Sequence, residues 1–197
     1  TNQVGLDGGV SPPPWLQQAP AGAPVDVVDL TSAGAQGQLE FLDIVRVVEG
    51  GGRFGQGYVQ AEMTVAPEDW FFACHFYQDP VMPGSLGVAA IQQAMQVYAL
   101  RQGLGSHLAA PRFAPIAPHQ TTWKYRGQIT PQDAGATLEV HVREIETGAH
   151  RVTLVGEASL WKGDRRIYEI TDVGICLQAG ALDHLTQNYA PIRLKTT

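Results

Sequence analysis

One histidine in this sequence stands where acid–base chemistry is plausible. His75 lies within an aromatic stretch, WFFACHFYQDP at residues 70–80, which leads through Pro83 and Gly84 into a long apolar segment. The reference pKa of histidine is near neutrality, so its ring can take up and return a proton. A histidine among aromatic residues is also a common core residue. We predict that His75 is the base of a reactive centre.

The neighbours of His75 are interpreted as a short extended stretch. In a strand, alternate residues share a face, so Tyr77 either lines the same pocket as His75 or packs in the core. The same alternation turns Cys74 to the opposite face, which disfavours a cysteine–histidine nucleophile pair. Asp79 and Pro80 are interpreted as a turn.

The segment after Gly84 is the element that would position these groups. Residues 85–102 contain no proline and carry apolar residues at helical spacing, which predicts one long buried helix with Ser85 as its N-cap. A helix N-terminus presents unpaired backbone N–H groups. An N–H at Gly84 can therefore polarise a substrate carbonyl while His75 removes the adjacent proton.

The remaining pattern is mainly that of strands. Alternation predicts strands at residues 54–65, 121–129, 136–146, 151–161 and 166–177, with hairpin turns at 147–148 and 162–164. Residues 39–48 are expected to form a short helix leading into a strand. One buried helix followed by antiparallel strands predicts an α+β fold in which a strongly curved sheet wraps the helix.

The chain divides into three parts. Residues 1–36 are rich in Gly, Pro, Ala and Gln and are expected to be a linker or surface arm, which Trp15, Leu16 and residues 25–30 can anchor. Residues 37–179 form the predicted domain, and residues 180–197 a tail or linker. A start at Thr1 without Met fits a segment cut from a longer polypeptide or a processed one.

Composition excludes several classes of function. The net charge of -6 argues against a nucleic-acid surface. Apolar runs are too short for a transmembrane helix, and the N-terminus lacks a signal-peptide pattern. Two cysteines far apart favour a reduced, cytoplasmic setting. No metal is predicted, because the other histidines lack ligand spacing: His107, His119, His141, His150 and His184.

The run HFYQDPVMPGSLG, residues 75–87, resembles the β-hydroxyacyl-acyl-carrier-protein dehydratase/isomerase family, especially the dehydratase domains of polyunsaturated fatty acid and polyketide synthases. The similarity extends from about residue 42 to about residue 177. It includes GYVQAE at 57–62, GQITP at 127–131 and GDRRIYEITDVGICL at 163–177.

The resemblance implies a hot-dog fold, two paired hot dogs and a tunnel between them for an acyl-pantetheine arm. We expect a homodimer, since a single hot dog exposes a sheet edge. His75 would be the base, the Gly84 N–H the carbonyl donor and Gln93 a supporting residue. The implied reaction removes water from a 3-hydroxyacyl thioester. The substrate is attached to the phosphopantetheine of an acyl carrier protein, and no other cofactor is implied.

One departure from the family pattern concerns the acid. The family places an acidic residue two positions after the Leu-Gly pair of the helix, and this position is Ala89, whereas Gln93 is kept. A partner hot dog can supply the acid, the domain can be a non-catalytic relative that completes a site or docks a carrier protein, or Ala89 can be a deliberate substitution. A hot-dog thioesterase ranks below these, because it also uses a helix carboxylate.

Two further groups of residues have a structural and a functional interpretation. For the helix residues Met95, Tyr98 and Ala99, core packing is the preferred interpretation and lining of an acyl pocket is the alternative. A group of basic residues is either a solvated strand face or a docking patch for an acidic carrier protein: Lys124, Arg126, Lys162, Arg165 and Arg166.

Overall fold

The computed structural model describes residues 14–19, 22–31, 40–116 and 120–180. The α-helix α1 spans Gly84–Arg101, and short 3-10 helices lie at Trp15–Gln17 and Trp70–Ala73. The strands are β1 Asp26–Asp29, β2 Ile44–Glu49, β3 Gly57–Thr64, β4 Pro111–Ala114, β5 Thr122–Tyr125, β6 Gly135–Thr147, β7 Arg151–Lys162 and β8 Arg165–Ala179.

The strands form one antiparallel sheet in the order β1-β2-β3-β6-β7-β8-β4, and β5 also pairs with β8. Helix α1 packs against β2, β3, β6, β7 and β8, so the sheet curls around it. The predicted α+β hot-dog layout, a long helix wrapped by a curved antiparallel sheet, is confirmed.

Helix α1 is buried on most of its surface. Ala90, Ala94 and Ala99 are fully buried, and their small side chains let the sheet approach the helix closely. Met95 and Tyr98 are likewise buried, which confirms the core interpretation of this stripe. The helix is therefore held in place by packing on most sides and not by one apolar face. No helix in the described part of the chain is long and apolar enough to span a membrane.

Several local predictions need correction. Ser85 is not the N-cap: Pro83 holds that position, the helix begins at Gly84, and no side chain caps it. The short helix expected before β2 is wrong for residues 40–43, which enter the strand without helical structure. The stretch around His75 is not extended, because Trp70–Ala73 is a 3-10 helix and a series of turns follows.

The N-terminal segment contributes to the fold at two points. β1 pairs with β2 in register from Asp26 opposite Val47 to Asp29 opposite Ile44. Trp15 packs against Tyr58, with ring centroids 4.8 Å apart. Both contacts fall on the anchor points expected within residues 1–36, while the domain boundary near residue 37 stays a prediction.

Candidate active site

His75 is held by the backbone of Val81. Its Nδ1 lies 3.0 Å from the carbonyl oxygen of Val81, and its own carbonyl accepts the Val81 N–H at 2.8 Å. A carbonyl oxygen only accepts hydrogen bonds, so Nδ1 must carry the proton. In the neutral ring, Nε2 is then left with a free lone pair. The structure thus presents His75 in the tautomer of a base.

The loop from His75 to Val81 is closed by further backbone bonds. The N–H of Phe76 donates to the carbonyl of Asp79 at 3.2 Å, and the N–H of Asp79 donates back at 3.4 Å. The turn interpretation of Asp79 is therefore confirmed. The N–H of Met82 donates to the carbonyl of Ile129 at 2.9 Å, which ties the end of the loop to the chain entering β6. The loop can thus hold the imidazole without help from regular secondary structure.

Gly84 opens helix α1 only three residues after Val81. An extended chain of three residues spans at most about 11 Å, so the His75 loop and the helix N-terminus are neighbours. No described residue accepts a hydrogen bond from the Gly84 N–H. This free donor, together with the dipole of an 18-residue helix, suits a developing negative charge.

Aromatic side chains cover the start of the helix. A Cβ on Gly84 would lie 2.6 Å from Cη2 of Trp123, and a Cβ on Gly87 would lie 2.4 Å from Cε2 of Tyr168. Both glycines therefore let another group approach the helix backbone closely. At Gly84 that group is the indole of Trp123 and not a substrate. Tyr125 completes the cluster, with its ring centroid 5.1 Å from that of Tyr168. The alternation in TTWKY predicted the strand, but not that its aromatic residues reach the helix.

Burial keeps the hydroxyl groups of this cluster protonated. It raises the pKa of Tyr168, and the nearby Tyr125 raises it further. The pKa of Tyr125 is itself raised by burial. These tyrosines can donate hydrogen bonds near the helix N-terminus, but they do not serve as bases at neutral pH.

Ala89 and Gln93 lie one turn apart on the same side of helix α1 but differ in burial. Ala89 is half-buried, about 7.5 Å along the axis from Gly84. Gln93 is buried, and its Oε1 accepts the N–H of Phe41 at 3.0 Å. Gln93 therefore fastens the chain that enters β2 to the helix. Its supporting role in a reaction stays a prediction.

The other residues near His75 take different positions. Tyr77 is 91% exposed, and the strand on which its shared face with His75 depended is absent. Its role at the site stays a prediction. The thiol of Cys74 lies 3.5 Å from the carbonyl oxygen of Phe71 and 3.6 Å from that of Trp70, which satisfies it within the preceding 3-10 helix.

Two cavities follow the half-buried side of helix α1 beyond Ala89. The first, of about 90 Å³, lies beside Gln92, Gln96, Phe113 and Gly174. The second, of about 300 Å³, also contains Gln96 and Phe113 and has a largely apolar lining that includes Leu100, Leu104, Pro111 and Leu177. Shared lining residues make them neighbours, so a flexible apolar chain could extend from one to the other.

A single helix wrapped by a curved antiparallel sheet, with a histidine loop leading into its N-terminus, defines a hot-dog domain. The chain belongs to the FabA-like family, since residues 35–171 match the FabA-like domain. It is 38% identical, over 90% of its length, to a polyunsaturated fatty acid synthase polypeptide of Thraustochytrium sp. (strain ATCC 26185 / S-3). The chain spans 13% of that synthase polypeptide.

Solved structures show more distant likenesses. A thioesterase from Haemophilus influenzae shares 12% identity, with a TM-score of 0.43 over 80% of this chain and 92% of that one. A probable thioesterase from Bartonella henselae shares 10% identity, with a TM-score of 0.43 over 62% and 90% of the two chains. Likenesses this distant say nothing about activity.

Proposed function

We propose that this domain acts on 3-hydroxyacyl thioesters in fatty acid or polyketide synthesis, with His75 as the base of a dehydratase site. The observation that carries the proposal is the hydrogen bond between His75 Nδ1 and the Val81 carbonyl, which frees Nε2. Membership in the FabA-like family and the similarity to a fatty acid synthase polypeptide support the same reaction class.

In the proposed reaction, Nε2 of His75 takes the proton next to the thioester carbonyl. The electron pair moves onto the carbonyl oxygen, where the Gly84 N–H stabilises the enolate. The pair then returns to form the carbon–carbon double bond as the β-hydroxyl departs. A proton delivered to that hydroxyl completes a molecule of water. The double bond of the 2-enoyl product can be moved by the same histidine in an isomerisation.

The departing hydroxyl needs an acid that this chain does not provide at Ala89. Without general acid help, the rate should fall by roughly 10²–10⁴. We infer that the acid comes from a partner hot dog, or that the domain is a non-catalytic member that supplies half of a site or docks a carrier protein. The non-catalytic role is a second candidate function because Ala89 has no proton to donate.

The proposed partners are an acyl carrier protein and a second hot dog, either another copy or a neighbouring domain. The similarity to a fatty acid synthase polypeptide supports the carrier protein as a partner. The second hot dog is supported by β5, all of whose residues are exposed. Trp123 and Tyr125 on this strand are 39% and 46% exposed, and such an aromatic strand face is unfavourable in water.

The test compares dehydration of a 3-hydroxyacyl thioester by this chain and by its Ala89→Glu, Ala89→Gln and Ala89→Glu/His75→Ala variants. Glu and Gln are similar in size, but only Glu can donate a proton, so Ala89→Gln is the matched control. We expect Ala89→Glu to raise turnover by roughly 10²–10⁴. Ala89→Gln should not raise it, and adding His75→Ala should remove the gain.

Two results would contradict the proposal. The first is an Ala89→Glu variant that folds and keeps its oligomeric state but shows no dehydratase activity. The domain would then have the structural or carrier-docking role instead of a catalytic one. Activity that survives His75→Ala would remove His75 from the reaction. Circular dichroism and size-exclusion chromatography of every variant separate these results from misfolding.

A further inference from the structure

A stripe of half-buried residues runs along helix α1 from the candidate active site. Val88, Ala89, Gln92 and Gln96 are half-buried, whereas the helix residues between and beside them are buried. Residues three and four apart share one side of a helix, so these side chains form a continuous line. Leu100, which is 36% exposed, extends the line by one more turn. The stripe is therefore a route from Ala89 to the C-terminal end of the helix.

The two cavities described above lie along this stripe and differ in polarity. Gln92 lines the cavity of about 90 Å³, Leu100 lines the cavity of about 300 Å³, and Gln96 lines both. The smaller cavity is partly polar, and the Gln92 amide reaches the carbonyl oxygen of Gly174 at 3.4 Å. The larger cavity is mainly apolar, and the charged residue of its described lining, Arg112, is exposed. The stripe therefore ends in an apolar compartment.

The walls of the larger cavity are tied to one another by backbone bonds and packing. The N–H of Leu104 donates to the Ala99 carbonyl at 2.9 Å, which holds the turn after helix α1 against the end of the helix. On the opposite wall, Phe113 of β4 pairs with Leu177 of β8. A Cβ on Gly105 would lie 3.2 Å from Cδ2 of Leu177, so the turn also packs against this wall. The cavity is thus built into the fold.

Distances along the helix axis convert the route into the length of an acyl chain. The rise per residue places Gln92 about 12 Å, Gln96 about 18 Å and Leu100 about 24 Å from Gly84. An extended peptide advances about 3.5 Å over three backbone bonds, so an extended acyl chain advances roughly 1.2 Å per carbon. Starting from a carbonyl at Gly84, about 10 carbons reach Gln92, about 15 reach Gln96 and about 20 reach Leu100.

We propose that this domain selects long-chain acyl thioesters, of roughly 15 to 20 carbons, whose tail follows the stripe and ends in the larger cavity. Gln96 lies where the tail passes from the smaller cavity into the larger one, and Leu100 limits its length. Both are specificity-determining residues, because their distance from Gly84 keeps them away from the reacting atoms. The inference rests on the proposed function, which places the thioester carbonyl at Gly84.

The dependence of affinity on chain length tests this inference without turnover. Saturated acyl-coenzyme A thioesters lack the 3-hydroxyl group and cannot be dehydrated, so their binding is followed by isothermal titration calorimetry below the micelle concentration, with free coenzyme A as the blank. Burial of one methylene group in an apolar lining raises affinity by up to about fourfold. We therefore expect a gain of at least about tenfold from 12 to 20 carbons, and a smaller gain from 8 to 12 carbons.

Two variants narrow the route at different distances from Gly84. Gln96→Trp fills the junction of the cavities and should lower the affinity for the chains of about 16 and about 20 carbons, while that for about 8 carbons stays unchanged. Leu100→Trp fills the far end and should act mainly on the longest chain. Val27→Trp is the matched control, because Val27 is an exposed apolar residue of β1 that lines neither cavity. It should change none of the affinities.

Three results would overturn the inference: no binding at any chain length, equal affinity for short and long chains, or equal losses in Leu100→Trp and Val27→Trp. Thermal unfolding establishes that each variant is folded. The outcome is separate from that of the turnover experiment. A domain without dehydratase activity that shows the expected length dependence still selects long chains, and an active dehydratase with equal affinity for all lengths does not.

Discussion

The imidazole of His75 and the backbone of Val81 are joined by two hydrogen bonds that run in opposite directions. The ring Nδ1 lies 3.0 Å from the Val81 carbonyl, and the Val81 N–H donates to the His75 carbonyl at 2.8 Å. The two contacts close a six-residue step of chain and fix both the direction of the ring and the position of its proton.

The first prediction concerns that proton. Neutral His75 should exist mainly as the Nδ1–H tautomer, because the Val81 carbonyl can only accept. Long-range ¹H–¹⁵N spectra at pH above neutrality distinguish a protonated from an unprotonated ring nitrogen, and His75→Gln assigns the signal among six histidines. A dominant Nε2–H form would contradict the base geometry, whether or not the domain shows activity.

The second prediction ranks the two glycines at the start of helix α1. Gly87→Ala should lower the free energy of unfolding by about 1–3 kcal/mol, because its Cβ would collide with Tyr168, which is 1% exposed and cannot move aside. Gly84→Ala should cost less, since Trp123 is 39% exposed and can shift. Urea denaturation measures both.

Ser85→Ala is the control for this pair. Ser85 is exposed and makes no capping hydrogen bond, so its replacement should change stability by no more than about 0.5 kcal/mol. An unhindered helical Gly→Ala replacement stabilises by roughly 0.5–1 kcal/mol. A gain of that size at Gly87 would show that Tyr168 does not pack there.

The third prediction concerns the anchor between helix α1 and β2. Gln93→Met keeps the length of the side chain but removes the oxygen that accepts the Phe41 N–H. A part-buried donor left without its partner should cost about 1–3 kcal/mol in urea denaturation. Gln92→Met removes only a contact of 3.4 Å to the Gly174 carbonyl and should cost less than about 1 kcal/mol. Equal losses of unfolding free energy in the two variants would show that the hydrogen bond from Phe41 to Gln93 does not anchor β2 to the helix.

The fourth prediction concerns acid stability. Hydrogen bonds from Lys124 and Arg126 lower the pKa of Glu169 to about 2, despite some opposing burial. A pKa lowered by folding stabilises the folded state above the ordinary value of 4.5, and this contribution is lost as pH falls from about 4.5 to about 2. Solvent screening limits it to roughly 1 kcal/mol.

Unfolding free energies of the parent chain and Glu169→Gln should therefore differ most near neutrality and converge as the pH falls through that window. Glu144→Gln serves as the matched control, because Glu144 is exposed on strand β6, which β7 separates from β8, and it has no ion pair among the described residues. A difference that persists unchanged at pH 2 would mean that the charge of Glu169 is not what stabilises the fold.

Regular periodicity made most of the architecture predictable. The helix expected at residues 85–102 is Gly84–Arg101, and the strand expected at 151–161 is Arg151–Lys162. Both elements are long, and each carries one clear repeat. The loop of His75 was harder, because its form depends on backbone bonds such as that of Met82 to Ile129, 47 residues away, rather than on the spacing of its side chains.

The burial of Glu139 and His141 on the outer face of β6 was not predictable from strand patterns. Glu139 and His141 alternate with apolar residues, which ordinarily indicates a solvated face. Their burial depends on Trp15, which lies 124 residues from Glu139 in the sequence. At the candidate active site, the sequence indicated His75, Gly84 and Ala89, but not the aromatic cover supplied by β5 and β8.

The covering of the sheet by Trp15 has a practical consequence for how this protein is divided. A truncation at residue 35, where the family match begins, would keep every strand from β2 onward and the whole of helix α1. It would nonetheless expose a layer of ionised and aromatic side chains that the intact chain shields, and leave β2 as an open edge. A fragment cut at the boundary of the family match would therefore aggregate more readily and be less stable than the chain that keeps its N-terminal segment.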